Sequence, residues 1–115
     1  LPTAATPPEI LFVEGPASAR LGESAIFRVR WRDADGNALT VTLDVEEAVR
    51  VGTEESLHES RAVGHLTPDE QRAGANSAFG LICESVDPEP HRLVITVTDS
   101  AGLTAVRALS FACRA

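Results

Sequence analysis

The 115-residue chain contains no Lys, no Met and no Tyr, and a single Trp. All ten of its basic residues are Arg, set against 17 acidic ones, for a formal net charge of −7. Such a chain has no extended surface on which phosphates could release their counterions, so nucleic acid and anionic membrane surfaces are excluded as partners. Cations and basic proteins suit it better. No stretch approaches the roughly 20 apolar residues needed to cross a bilayer, which excludes membrane insertion by a helix. The sequence opens at Leu1 without a charged-then-apolar leader, and the expectation is a mature form or an excised piece, with any export signal outside it. It lacks a Gly-x-Ser-x-Gly elbow, a phosphate loop, a dinucleotide fingerprint and His-Glu-x-x-His, so a non-enzyme is expected.

What is present is a chain of 43% hydrophobic and 23% charged residues, enough for one domain with its own core. Residues 1–8 hold three Pro and no charge, and read as a stiff linker; residues 9–115 read as the domain. Glu9–Glu14 is a short apolar run stopped by Gly15-Pro16. From Ile26 to Arg32, Phe27, Val29 and Trp31 alternate with Arg28, Arg30 and Arg32, a period of two that marks a half-buried strand. Asp33-Ala34-Asp35-Gly36-Asn37 breaks it, using residues that accept left-handed backbone angles and bind their own amides. Alternation resumes with Leu39, Val41, Leu43 and Val45, predicted to cross to a facing sheet. Phe79, Leu81 and Cys83 form another alternating run. Leu93, Ile95 and Val97 lead through Asp99-Ser100-Ala101-Gly102 into Leu103–Cys113, a hairpin. Arg107 falls on the Leu109, Phe111 and Cys113 face, which calls for a bulge or an edge position. Between these, residues 46–66 show no sustained period, and their glutamates read as a solvated acidic face. Thr67-Pro68-Asp69-Glu70 has the shape of a helix start and Gly74 of its end. Six or seven strands with one helical turn make an all-β sandwich.

Two of these segments resemble a known family. Arg32 to Leu43, with Asp33-Ala34-Asp35-Gly36-Asn37-Ala38-Leu39-Thr40, is similar to the D-x-D-G-[DN]-x-L-T stretch of bacterial cadherin-like and related immunoglobulin-like repeats. Val97-Thr98-Asp99-Ser100-Ala101-Gly102-Leu103-Thr104 resembles the closing hairpin of such repeats and of polycystic-kidney-disease-type domains. The D-x-N-D-N calcium motif of true cadherins is absent. The resemblance implies an immunoglobulin-like (cadherin or PKD-like) β-sandwich of about seven strands in an exported, cell-surface or periplasmic protein. Its role would be adhesion, spacing or contact with other protein domains or surface proteins. The alternatives are a carbohydrate- or peptide-binding module, or an accessory domain of a secreted enzyme, and an ordered insertion over Glu46–Ala75 would favour recognition.

Candidate sites follow from residue chemistry. Asp33, Asp35 and Asn37 at alternate positions, with Asp99 in a second loop, supply the hard oxygen donors that Ca2+ requires, although the same residues serve a well-capped turn. In related modules Glu14 also faces such a site. Cys83 and Cys113, thirty positions apart on separate predicted strands, form either one disulfide or two core thiols, and the disulfide is the expected state. His58, His65 and His91 lack compact zinc spacing and are expected at the surface. With Trp31 and most Phe residues on core faces, few rings remain to stack on a sugar.

The alternation predicts that Val29→Asp, which buries an unpaired charge, destabilises the domain by more than about 3 kcal/mol, whereas Arg30→Asp costs under about 1 kcal/mol. Urea denaturation of both variants checks this; equal losses contradict the assignment of faces.

Overall fold

The computed structural model describes residues 5–46, 49–51, 58–84, 86 and 89–115. The strongest alternation in the sequence becomes the spine of one sheet. Strand β3, Ser24–Arg32, follows β1 (Glu9–Glu14) and the short β2 (Ser18–Arg20), and buries Phe27, Val29 and Trp31 while turning its arginines outward. The chain then crosses to a facing sheet as β4 (Ala38–Glu46). The remaining elements are β5 (Val49–Val51), β6 (His58–Ala62), helix α1 (Pro68–Ala73), β7 (Ala75–Cys83), β8 (His91–Asp99) and β9 (Thr104–Arg114).

The strands pair in the order β1-β3-β7-β5 in one sheet and β2-β9-β8-β4-β6 in the other. The first order is the A-B-E-D sheet of an immunoglobulin domain, and β9-β8-β4 is the G-F-C core of the second. This is an immunoglobulin-like β-sandwich. Two of its nine described strands, β2 and β5, are three-residue edge pieces, which accounts for the excess over the expected seven. Residues 46–66, without a sequence period, contribute β5 to the edge of one sheet and β6 to the edge of the other. Glu47, Glu54 and Glu55 of the expected acidic face lie outside the described residues.

The core forms where the two inner faces meet. Trp31 and Val29 pack with Phe79 and Leu81 of the first sheet against Val41, Leu43, Leu93 and Ile95 of the second. Phe27 meets Phe111 across the interior edge-on, centroids 5.3 Å apart. The indole Nε1 of Trp31 donates to Ser77 Oγ at 3.2 Å, so the one polar atom of the largest core side chain is satisfied. At the β6 edge the Arg61 guanidinium lies 4.9 Å from the centroid of the Phe79 ring and closes the gap between the sheets.

Cys83 of β7 and Cys113 of β9 are disulfide-bonded, with Cα atoms 5.6 Å apart, and the bond ties one sheet to the other. Closing a loop of this length removes about 3 to 4 kcal/mol of unfolded-state entropy. At the opposite side of the sandwich, Arg107 reaches from β9 to the carbonyl of Ile10 in β1 at 3.2 Å. Its stretch of β9 pairs only with β8, so the arginine sits at an edge, with no bulge.

Two expectations need correction. The alternation of Leu39 with Val41, Leu43 and Val45 puts all four in the core, but a register shift between Ala38 and Thr40 turns Ala38 inward and leaves Leu39 exposed. His91 was expected at the surface, yet it is 3% exposed, because it opens β8 on the same inward face as Leu93 and Ile95.

Helix α1 forms as its sequence indicates. The Thr67 hydroxyl accepts from the Glu70 amide at 3.2 Å, the Glu70 carboxylate accepts from the Thr67 amide at 3.0 Å, and Gly74 ends the helix at φ 108°. Hydrogen bonding to its carboxylate from the Thr67 amide, and secondarily from the Thr67 side chain, holds the Glu70 carboxyl below its ordinary pKa. Gly102 closes the β8–β9 hairpin at φ 83° with open space around it, so a side chain there is opposed by backbone strain alone. Gly102→Val is therefore expected to lose about 2 kcal/mol, and Gly102→Asn much less, in thermal unfolding. Equal melting points for the three proteins contradict the strained turn.

Candidate metal centre

The chain has five residues, Asp33 to Asn37, in which to leave β3 and enter β4 on the other sheet. Amides in so tight a crossing have no ladder partners, and Asp33 supplies one: its Oδ1 accepts from the Asp35 amide at 3.0 Å. The Gly36 amide donates to the Asp33 carbonyl at 3.0 Å, and Gly36 takes φ 69°. The β8–β9 hairpin repeats the device. There Asp99 Oδ1 accepts from the amides of Ala101 and Leu103, both at 2.9 Å. The loops are joined by Asn37, whose carbonyl accepts from the Ser100 amide and whose Nδ2 donates to Ser100 Oγ at 2.9 Å.

These bonds use one oxygen of each carboxylate and leave the other. Asp33 is 0% exposed and Asp99 2%, and the Oδ2 of each is buried with no hydrogen-bond partner. The buried Oδ1 of Asn37 is likewise without a partner. Asp33, Asp35 and Asp99 each bring a carboxylate oxygen into a group whose members all lie within 4.8 Å of one another. Buried acceptors facing each other in this way are costly, because nothing replaces the water they lost. Burial pushes the Asp33 carboxyl above its ordinary pKa, and the charges of Asp99 and Asp35 push in the same direction, against the backbone hydrogen bonds of the loop.

The donor set fits one hard cation. Two oxygens on opposite sides of a Ca2+ ion lie about 4.8 Å apart at ordinary Ca–O distances, so a group of this span closes around a single ion. Asp33, Asp35, Asn37 and Asp99, separated by as many as 66 positions in sequence, come together at one end of the sandwich. Glu14 does not join them. It pairs in register with Arg28, four residues along β3 from Arg32, roughly 13 Å from the crossing loop. His58 and His65 are exposed, and His91 belongs to the core.

Other residues that build this end carried no signal in the sequence. The Thr6 amide donates to Asp35 Oδ2 at 2.7 Å, and Pro8 is buried, so residues of the N-terminal segment lie against the domain. Gln71, 2% exposed on α1, accepts from the Ala38 amide at 2.8 Å and donates to the carbonyls of Ala38, Val63 and Leu66. Its own carbonyl accepts from the Asp33 amide at 3.0 Å. A buried glutamine on a short polar helix looks like a surface residue until its distant partners are known.

No family model matches this sequence, and no curated protein matches it. Among solved structures, one similar chain is the CARDB domain of the PF1109 protein from Pyrococcus furiosus, described as a complex with di-metal ions. It is 12% identical, the match covers 98% of this chain and 100% of that one, and the TM-score is 0.49. Another is murine CRIg, 12% identical over 93% of this chain and 96% of its own, with a TM-score of 0.41.

The raised pKa of Asp33 has a definite sign in stability. The folded state favours the protonated carboxyl, so this group's contribution is fully present below its ordinary value of 3.8 and is lost as pH rises through the folded-state value. Asp33→Asn removes that loss. In chelator at pH 7 it is expected to melt about 3 to 5 °C above the parent protein, with the difference vanishing near pH 3. A variant that melts lower at pH 7 contradicts this account.

Proposed function

We propose that this chain is a non-catalytic module of an exported protein, serving adhesion, spacing or protein contact, and that the end formed by the β3–β4 and β8–β9 loops binds Ca2+. On this reading residues 9–115 form the module and residues 1–8 a linker segment, of which Thr6 and Pro8 lie against it. The observation that carries the metal assignment is the set of buried oxygens of Asp33, Asp99 and Asn37 that have no donor. A divalent cation would supply what the protein does not, balancing the two buried carboxylates and linking the sheet-crossing loop to the hairpin. The disulfide supports an oxidising compartment, outside the cell or in a periplasm. No described helix is long and apolar enough to cross a membrane.

The carbohydrate reading finds less support. Trp31, Phe27, Phe79 and Phe111 are buried, and Phe12, 45% exposed, is the one aromatic ring left at the surface.

The test is the melting temperature of the non-reduced protein in excess chelator and with added calcium. Calcium at about 100 times its Kd is expected to raise the midpoint by roughly 10 °C, magnesium by much less, and calcium is expected to leave Asp33→Asn almost unmoved. An identical midpoint in calcium and chelator removes the metal and leaves the aspartates as turn formers.

A further inference from the structure

The end of the sandwich that gathers the acidic loops also carries a pocket that the metal reading does not use. Thr6, Pro7, Glu9, Arg32, Ala34 and Arg72 line an open cavity of about 400 Å3, within the size range of ligand sites. Its two guanidinium groups are held but not saturated. Arg32 contacts Glu9 Oε2 through Nε alone, at 3.0 Å, and both of its terminal nitrogens donate to no described group. Arg72 spends Nε on the Ala34 carbonyl at 3.1 Å and Nη1 on Asp69 Oδ1 at 3.0 Å, which leaves Nη2. Arg32 is thus held by one bond and keeps both terminal nitrogens, the planar pair that matches a carboxylate, while Arg72, held by two, adds Nη2 as a further donor.

Two further features favour a peptide as the source of that carboxylate. None of the six lining residues is aromatic, so a sugar ring has nothing to stack on. One wall is formed by the exposed Thr6 and Pro7, which make no backbone-to-backbone hydrogen bond among the described residues, so their carbonyls are left for the amides of an extended chain. We infer that this pocket receives an acidic side chain, Glu or Asp, from an extended segment of a protein partner, with Arg32 and Arg72 as its hydrogen-bond donors. The inference deepens the protein-contact part of the proposed function and does not depend on the metal. Because Glu9 and Asp69 already offset the two arginines, recognition rests on donor geometry more than on net charge, and its dependence on salt is shallow.

An NMR titration of the isotope-labelled chain tests this with three probes: acetyl-Ala-Glu-Ala-amide, its Gln counterpart, and glucuronate. Each is added once in chelator and once in calcium. The Glu peptide is expected to shift the amide signals of Thr6, Glu9 and Arg72 saturably in both buffers, and the Gln peptide to leave them in place. Arg32→Gln is expected to weaken the Glu peptide about tenfold at an unchanged melting temperature. Equal binding of the Gln peptide, or undiminished binding to the variant, overturns the inference, as does a response to glucuronate without one to the Glu peptide. Calcium is read separately, at the amides of Ser100 to Leu103. A failure of the metal reading therefore leaves those signals unmoved by calcium without altering the peptide result.

Discussion

The crossing from Arg32 to Ala38 governs this molecule. Five residues carry the chain from one sheet to the other outside any ladder; backbone carbonyls meet the amides of Asp33 and Gly36, and a side chain must accept from the amide of Asp35. Asp33 does so by pointing inward, which removes a carboxylate from water at the rim of the core. Asp99 does the same at the end of β8, and Asn37 ties the two loops together. The local needs of two tight turns thereby place two buried carboxylates within reach of each other. That arrangement is strained electrostatically in isolation, and the proposed cation would relieve the strain.

The rest of the sandwich holds this end steady. Gln71 satisfies backbone groups from β4, from the segment before α1 and from the crossing loop, so the short helix works as a plug. The disulfide joins the sheets near the opposite end, where β7 and β9 finish. Between the two lies the interdigitated core around Trp31 and the Phe27–Phe111 pair. A rigid body with its loops gathered at one end presents those loops in a fixed relation, as the proposed protein-contact role requires.

Much of the fold was legible in residue order, because a strand with one dry face must alternate. Phe27, Val29 and Trp31, the β8–β9 hairpin and the Thr67 capping box all formed where local chemistry placed them. The failures were equally physical. Leu39 kept the right parity, yet a register shift at the start of β4 turned it outward. His91 reads as polar, but it opens a strand whose inward face is continuous from that residue onward. Residues 46–66 lack a period because each of their two short strands serves the edge of a different sheet.

The same division holds for the site. Residue order alone put Asp33, Asp35, Asn37 and Asp99 in turns, since turn geometry is set by neighbours one to four positions away. It also placed both cysteines on strands. Only the tertiary structure decided that the two turns share one end of the sandwich, that Cys83 and Cys113 face each other across it, and that each buried aspartate keeps an unpartnered oxygen. Those outcomes depend on contacts between residues 30 to 66 positions apart, and such contacts are set by how the sheets pack together.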